Sequence, residues 1–281
     1  MISQLIRQAE KRLSEADIPA SYAKYVLNEL MLKEHRNLYL EMDKELDPKM
    51  LETFNAMMDR LVKDEPLAYV LGYQVFLNYQ IEVNPSVLIP RMETEELVMQ
   101  VLMEIDTAFE NNPQPSLIDI GCGSGAIAIA LKKEEPKLTV LASDISEVAL
   151  NQAKHNAQVL EADIEFMLGS MAEPLIQSQR KVDIIVCNPP YIPEKEVIQN
   201  SVLHHEPHVA LFGGEDGLKF YREVLQQAPA VLNHPGLIAF EIGWNQKQAL
   251  TDLAIETLVD PQVTCYQDMQ GKDRILIIKL K

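Results

Sequence analysis

Apolar residues recur at helical spacing through the first 75 positions. Ile2, Leu5, Ile6, Ala9 and Leu13 share one face, Asp17 to Pro19 interrupts it, and Ala23, Val26, Leu27 and Leu30 form a second stripe. Asp47-Pro48 opens a further helix, since proline suits a first turn, and Leu51, Phe54, Met58 and Leu61 carry its face. The period changes to two from Gly72 to Val83, with Val75, Leu77, Tyr79, Ile81 and Val83 on one side, as in a β-hairpin. Glu93-Thr94-Glu95-Glu96 then starts an acidic helix. Beyond residue 115 strand-length apolar runs (117–120, 138–142, 164–168, 184–187, 237–242) alternate with helical segments near 125–133, 146–158, 217–232 and 245–257. Such alternation predicts a mostly parallel α/β sheet covered on both faces. The runs Val263 to Tyr266 and Ile275 to Leu280 are joined too closely for a helical crossover, so they are expected to pair antiparallel at one edge. The predicted organisation is a small helical bundle over 1–71, a β-hairpin connector over 72–90 and the α/β sheet over 91–281.

At 281 residues with 47% hydrophobic content, the chain can bury a sizeable core. Its apolar runs fall short of the ~20 residues a membrane span needs, and charges recur from Arg7 onward, unlike a signal peptide. A cytoplasmic protein without a membrane partner is the expectation, and it is read as a monomer. Cys122, Cys187 and Cys265 are odd in number, widely spaced and set among apolar residues, which suits reduced thiols better than a disulfide framework. The first 75 residues hold 10 Lys and Arg against 13 Asp and Glu, a net −3; the remainder hold 15 against 29, a net −14. Such a field repels phosphate backbones, so no direct nucleic-acid binding is expected.

Asp119-Ile120-Gly121-Cys122-Gly123-Ser124-Gly125 follows a strand and precedes a helix. Glycines there permit a tight turn and close approach of backbone to a ligand at the carboxyl end of a sheet. The spacing is G-x-G-x-G, without the Lys-Ser or Lys-Thr of a phosphate loop. Asp144 ends the next strand, where a carboxylate either accepts both ribose hydroxyls of a nucleoside or caps the helix starting near Ser146. A nicotinamide-binding oxidoreductase and a non-catalytic binding module both fit this turn.

These residues resemble the class I methyltransferases, whose Rossmann-like sheet ends in an antiparallel strand. The resemblance implies S-adenosylmethionine as cofactor and S-adenosylhomocysteine as product. It implies Gly121, Gly123 and Gly125 as the turn, with Cys122 and Ser124 inside it, Asp144 as the ribose clamp, and Asp119 supporting the turn or the cofactor's amino end. Asn188-Pro189-Pro190-Tyr191 then gains a chemical meaning. In that family such a motif marks methylation of a planar nitrogen conjugated with a carbonyl or an aromatic ring. The Asn188 side-chain oxygen and the Pro189 carbonyl would accept its two N–H groups so that it pyramidalises, Tyr191 would stack on the planar group, and proline rigidity fixes both acceptors. Neither the oxidoreductase nor the binding module accounts for these four residues.

The planar nitrogen is either an exocyclic amine of a base or a glutamine side-chain amide. Glu65 to Gly72, Val87 to Glu95, Glu206-Pro207 before Ala210-Leu211, Gly243-Trp244 and Gly271 to Arg274 together are similar to the release factor glutamine methyltransferase family, also called HemK or PrmC. That resemblance covers nearly the whole chain. It implies methylation of the glutamine in the Gly-Gly-Gln loop of class 1 peptide chain release factors. A ribosomal-protein glutamine methyltransferase and a nucleic acid adenine methyltransferase remain the alternatives. The chain departs from the family's pattern with Met92 where proline is usual, and with Ser170-Met171 where an aspartate often holds the adenine amine; Ser170 can accept a hydrogen bond and Met171 can pack on the adenine. The bundle, mild in charge, is expected to engage the partner away from the reacting loop. His204, His205 and His208 have a spacing a metal could use, but methyl transfer needs none, and loop-packed histidines are the simpler reading. Trp244 is expected in the core, and Arg91 either pairs with Glu93 or Glu95 or lines a cleft.

Overall fold

The structure, a computed structural model, describes all 281 residues and separates them into two compact units, Met1–Tyr73 with Gln199–His205, and Gln74–Ile198 with Glu206–Lys281. In the first, α1 (Ile2–Glu15), α2 (Ser21–Lys33) and α3 (Pro48–Leu61) bury one stripe each. The stripes are Ile2, Ile6, Ala9 and Leu13; Ala23, Val26, Leu27 and Met31; and Met50, Phe54, Met58 and Leu61. Met50 thus takes the inward place expected of Leu51. Its backbone N–H donates to the Asp47 side chain, and Pro48 occupies the first turn of α3, so the local chemistry sets this helix start. The short α4 (Leu67–Leu71) ends at Gly72 with φ +85°, and the Arg60 guanidinium ties it down by donating to Glu65 and to the Tyr69 carbonyl.

Next, β1 (Tyr73–Phe76) and β2 (Tyr79–Glu82) form a two-stranded sheet. The expected face is only half right, because Phe76 is buried while Val75 is exposed. Leu77 sits at the turn with φ +51°, which breaks the alternation that a continuous strand would keep.

The rest of the second unit runs α5 (Met92–Ala108), β3 (Ser116–Ile120), α6 (Ala126–Glu134), β4 (Thr139–Asp144), α7 (Glu147–Val159), β5 (Ile164–Leu168), α8 (Glu173–Gln177) and β6 (Val182–Cys187). The short α9 (Asn200–His205) belongs to the first unit. The chain closes with α10 (Lys219–Val231), β7 (Leu232–Glu241), α11 (Lys247–Thr257), β8 (Gln262–Gln267) and β9 (Asp273–Leu280). Strand order is β5-β4-β3-β6-β7-β9-β8. β3 to β7 are parallel, and β9 runs antiparallel to both β7 and β8. The two closing strands therefore lie at one edge, with the last one inserted between β7 and β8. β3, β6 and residues 236–241 of β7 are almost wholly buried, as strands covered on both faces must be. No helix is long and apolar enough to cross a membrane.

Candidate active site

The order of strands reverses beside β3, and ligands of open α/β sheets bind in the crevice beyond the carboxyl ends at such a switch point. Two registers place the motifs there. Ile120 pairs with Cys187 across β3 and β6, so the glycine turn and Asn188 leave the sheet side by side. Cys187 pairs with Phe240 across β6 and β7, which brings Glu241 alongside Asn188.

The glycine turn hangs on one carbonyl: the backbone N–H groups of Gly121 and Cys122 both donate to Ser143 O, at 2.8 and 2.9 Å. Gly121 and Gly123 have φ of +72° and +53°, and a Cβ at either would meet nothing within 4 Å. Backbone conformation and open space in front of it both call for glycine here. Gly125 differs, since its Cβ would lie 3.1 Å from the Ala153 Cβ, so it lets the turn pack against α7. Cys122 and Ser124 are buried within the turn, where the Ser124 carbonyl accepts from Asn156 Nδ2. Burial pushes the Cys122 and Cys187 thiols well above their ordinary range, which suits inert core thiols rather than nucleophiles.

Asp119 is fully buried. One oxygen, Oδ2, accepts from the Ala128 N–H in the first turn of α6 at 3.2 Å, while Oδ1 has no partner in the protein. Burial, with Asp144 nearby and against the Ala128 hydrogen bond, pushes its pKa up to about 7. A buried acceptor without a donor costs roughly 1–3 kcal/mol, so this atom waits for one. Asp144 does not cap α7; the Ser146 hydroxyl does that, accepting from the Ala149 N–H. Instead Asp144 accepts from Gly123 N and Ser146 N, both at 2.8 Å, which fixes the carboxylate between the glycine turn and the start of α7. Beyond β5, Ser170 and Met171 are half-buried, and the Ser143 hydroxyl donates to the Met171 carbonyl at 3.1 Å.

The Asn188 side chain is fixed by Glu241 at the end of β7 and Thr94 in the first turn of α5. Its Nδ2 donates to Glu241 Oε2 at 2.9 Å and to Thr94 Oγ1 at 3.1 Å, and the Thr94 hydroxyl donates to the same Glu241 oxygen at 2.6 Å. The two acceptors stand only 2.6 Å apart, too close for separate N–H groups, so they share one N–H of the amide; the nitrogen end is thereby turned toward Glu241, and Oδ1 is the end left as an acceptor. Tyr191 reaches toward the other Glu241 oxygen at 3.5 Å. Burial pushes Glu241 up to about 7, with Glu93 adding to the rise and Thr94, Arg274 and Tyr191 opposing it.

The backbone after Asn188-Pro189-Pro190 is latched from behind. Gln246 Nε2 donates to the Tyr191 carbonyl at 3.1 Å and to the Gly217 carbonyl, while its Oε1 accepts from Gly243 N. Ile192 bridges to Phe212, and a Cβ on Gly213 would lie 2.5 Å from the Pro190 oxygen. Arg274 donates to the Ile242 carbonyl and to Asp268, so the Gly271 to Arg274 segment buttresses the end of β7.

Other expectations resolve differently. Arg91 pairs with neither Glu93 nor Glu95 but with the buried Glu206, which also accepts from Ile89 N; Glu95 accepts from Leu77 N instead. Trp244 is not in the core: it is 63% exposed, because the Gln246 side chain fills the inside of that turn. No group of three or more His, Cys, Asp or Glu could hold a metal, and the His208 ring packs edge-on against Phe212.

Residues 4–72 match the model of the PrmC N-terminal domain and residues 99–209 that of the methyltransferase small domain. The chain is 36% identical over 277 residues to the release factor glutamine methyltransferase of Bacillus subtilis, covering 98% of this chain and 96% of that one. It is 39% identical over 242 residues to the protein of that name from Lactococcus lactis, covering 85% and 86%. A methyltransferase structure from Pyrococcus furiosus superposes with a TM-score of 0.53 at 17% identity, over 80% of this chain and 98% of that one, a likeness of fold. The chain belongs to the release factor glutamine methyltransferase family.

Proposed function

We propose that this protein transfers a methyl group from S-adenosylmethionine to the side-chain amide nitrogen of a glutamine, the one in the Gly-Gly-Gln loop of class 1 peptide chain release factors. The observation that carries the reading is the Asn188 amide, whose nitrogen is committed to Glu241 and Thr94 and whose oxygen is presented as an acceptor. An amide nitrogen is a poor nucleophile because its lone pair is delocalised. Asn188 Oδ1 takes one of its N–H groups and the Pro189 carbonyl the other, so the nitrogen pyramidalises and its lone pair is freed. Tyr191 stacks on the planar group and excludes water. These acceptor dipoles also stabilise the positive charge that develops on the nitrogen. Its proton leaves after that charge has formed, so no strong base is required beforehand.

The residues present fit the cofactor. Gly121 and Gly123 leave open space before a left-handed backbone, and Asp119 Oδ1 is a buried acceptor without a donor. Asp119, Gly121, Cys122, Gly123, Ser124, Gly125 and Asp144 would hold it, with Ser170 and Met171 toward the adenine and Asn188 at the methyl end. S-adenosylmethionine, when bound, supplies a methyl group on a positively charged sulfur.

A cationic amino group beside Asp119 favours the carboxylate, so binding should release a proton from a group that otherwise titrates at about 7. Calorimetry with S-adenosylhomocysteine is therefore expected to show affinity rising by up to about tenfold between about pH 6 and about pH 8. Asp119→Asn should flatten that dependence. A pH-independent affinity in the unaltered protein would count against Asp119 as the amino-group partner.

The helical unit is proposed to bind the release factor away from its reacting loop. It carries a cavity of about 440 Å³ lined by Ser21, Tyr22, Lys24, Tyr25, Asn28, Tyr39 and Leu67, with Tyr39 67% exposed. Aromatic side chains of this kind supply contact area at low entropic cost. Replacing Tyr25 and Tyr39 together by Ser is expected to raise KM for the release factor by about tenfold with kcat unchanged. An unchanged KM would remove the helical unit's tyrosines from recognition.

The function itself is tested by incubating purified protein with a radiolabelled methyl donor and a release factor. Label should enter the factor and be absent when its Gly-Gly-Gln glutamine is replaced by Ala. Transfer to a ribosomal protein, DNA or RNA instead would overturn the assignment.

A further inference from the structure

We propose that Glu241, acting with Thr94, is a positioning residue that decides which end of the Asn188 amide faces the reacting nitrogen, and that it does so only as a carboxylate. The inference rests on the glutamine-methylating reading and deepens it. An asparagine amide is nearly symmetric in shape, so packing alone does not select its oxygen for the substrate side. Hydrogen bonding does. Behind Asn188 stand Glu241 Oε2 at 2.9 Å and Thr94 Oγ1 at 3.1 Å, and the Thr94 hydrogen is already given to Glu241. Facing that pair, the amide nitrogen directs one N–H between the two oxygens, a shared hydrogen bond with a carboxylate at its stronger end. Turned over, the amide oxygen would meet a carboxylate that can only accept and a hydroxyl whose proton is engaged, two repulsive contacts in a buried place.

A protonated Glu241 removes that discrimination, because a carboxylic acid can donate to the amide oxygen and so tolerate the inverted amide. The groups that face Glu241 are Glu93 and Thr94 from α5, Tyr191 from the loop after β6, Arg274 from β9 and Tyr221 from α10, whose hydroxyl donates to the Glu241 carbonyl. Burial among them raises the carboxyl to about 7, so the orienting form gains population as pH rises through neutrality. Register makes the device: Cys187 pairs with Phe240, so the residues that follow each strand, Asn188 and Glu241, are neighbours by construction.

Three variants of the full-length protein test this with a release factor as methyl acceptor. Glu241→Gln is close in shape but offers both a donor and an acceptor to Asn188. It is expected to lower kcat about tenfold, to leave KM for the release factor within about twofold, and to lack the fall in kcat below about pH 7 that is expected of the unaltered enzyme. Thr94→Val should give a similar loss in kcat and Thr94→Ser should restore most of it, since only the hydroxyl is needed. The proposal is overturned if Glu241→Gln keeps the original kcat, if the acid limb persists in Glu241→Gln, or if Thr94→Val and Thr94→Ser behave alike. Should the unaltered protein fail to methylate the release factor at all, the functional reading falls and this proposal with it. If the unaltered protein is active and Glu241→Gln matches it, only the positioning claim falls.

Discussion

Replacing Asn188 by Ala is expected to slow methyl transfer by roughly 30- to 150-fold, the loss of about 2–3 kcal/mol of transition-state stabilisation. Asn188 Oδ1 is the acceptor that holds one substrate N–H while the nitrogen rehybridises, so its loss falls on kcat. S-adenosylhomocysteine lacks the methyl group beside Asn188, so its affinity should stay close to that of the unaltered protein, held by a glycine turn that hangs on Ser143 and Asp144. Single-turnover rates with a labelled donor, set beside calorimetric affinities, separate the two effects. A drop in cofactor affinity with no change in the rate of transfer would move Asn188 from the acceptor role to a purely structural one.

A second large effect is expected at Gly217, far along the chain from the motif it supports. Its φ is +74°, and a Cβ there would lie 2.3 Å from the Tyr191 carbonyl oxygen and 2.8 Å from Gln246 Nε2. Gly217→Ala therefore has to displace the backbone of the Asn188 to Tyr191 corner or break its latch. Overpacking of about 1–3 kcal/mol and about 1–2 kcal/mol for a side chain in a left-handed conformation add to roughly 3 kcal/mol. For a unit of this size that lowers Tm by roughly 6–12 °C. Misplacing the acceptors by about 1 Å should also cost about 100-fold in kcat. Gly271 supplies the control, with φ +77° and nothing within 4 Å of its absent Cβ. Gly271→Ala carries the conformational cost alone and should keep kcat within about twofold. Equal losses in the two variants would refute the latch.

Much of this was legible along the chain, for identifiable reasons. Helical spacing located the main helices, and continuous apolar runs the parallel strands, because burial on one face or on both writes itself into apolar patterns. The glycine turn and Asn188-Pro189-Pro190-Tyr191 stood out because each uses residue types that strands and helices otherwise avoid. Glu241 and Thr94 did not stand out. Glu241 closes a strand read as the apolar run 237–242, and Thr94 sits among acids read as a helix start. The signal available was an ionisable residue in the last place of a buried strand, which is costly unless something pairs with it. Gln246 was hidden similarly, since a glutamine near a helix start reads as surface until its side chain is seen between Gly243, Tyr191 and Gly217. Trp244 shows the reverse error: the chain's largest ring was expected inside, but the tight turn at Gly243 gives the inner place to Gln246. Pairings across long separations, such as Arg91 with Glu206, follow from strand order and loop path, which local pattern does not encode.

The central claim is that the methyl acceptor is a glutamine amide nitrogen. Mass spectrometry of a release factor incubated with this protein and S-adenosylmethionine names the modified residue directly. A single methyl group on the side-chain amide of the Gly-Gly-Gln glutamine, absent when Asn188 is replaced by Ala, is the predicted result. A methyl group on any other residue, or an unmodified factor alongside methylated nucleic acid, would contradict it.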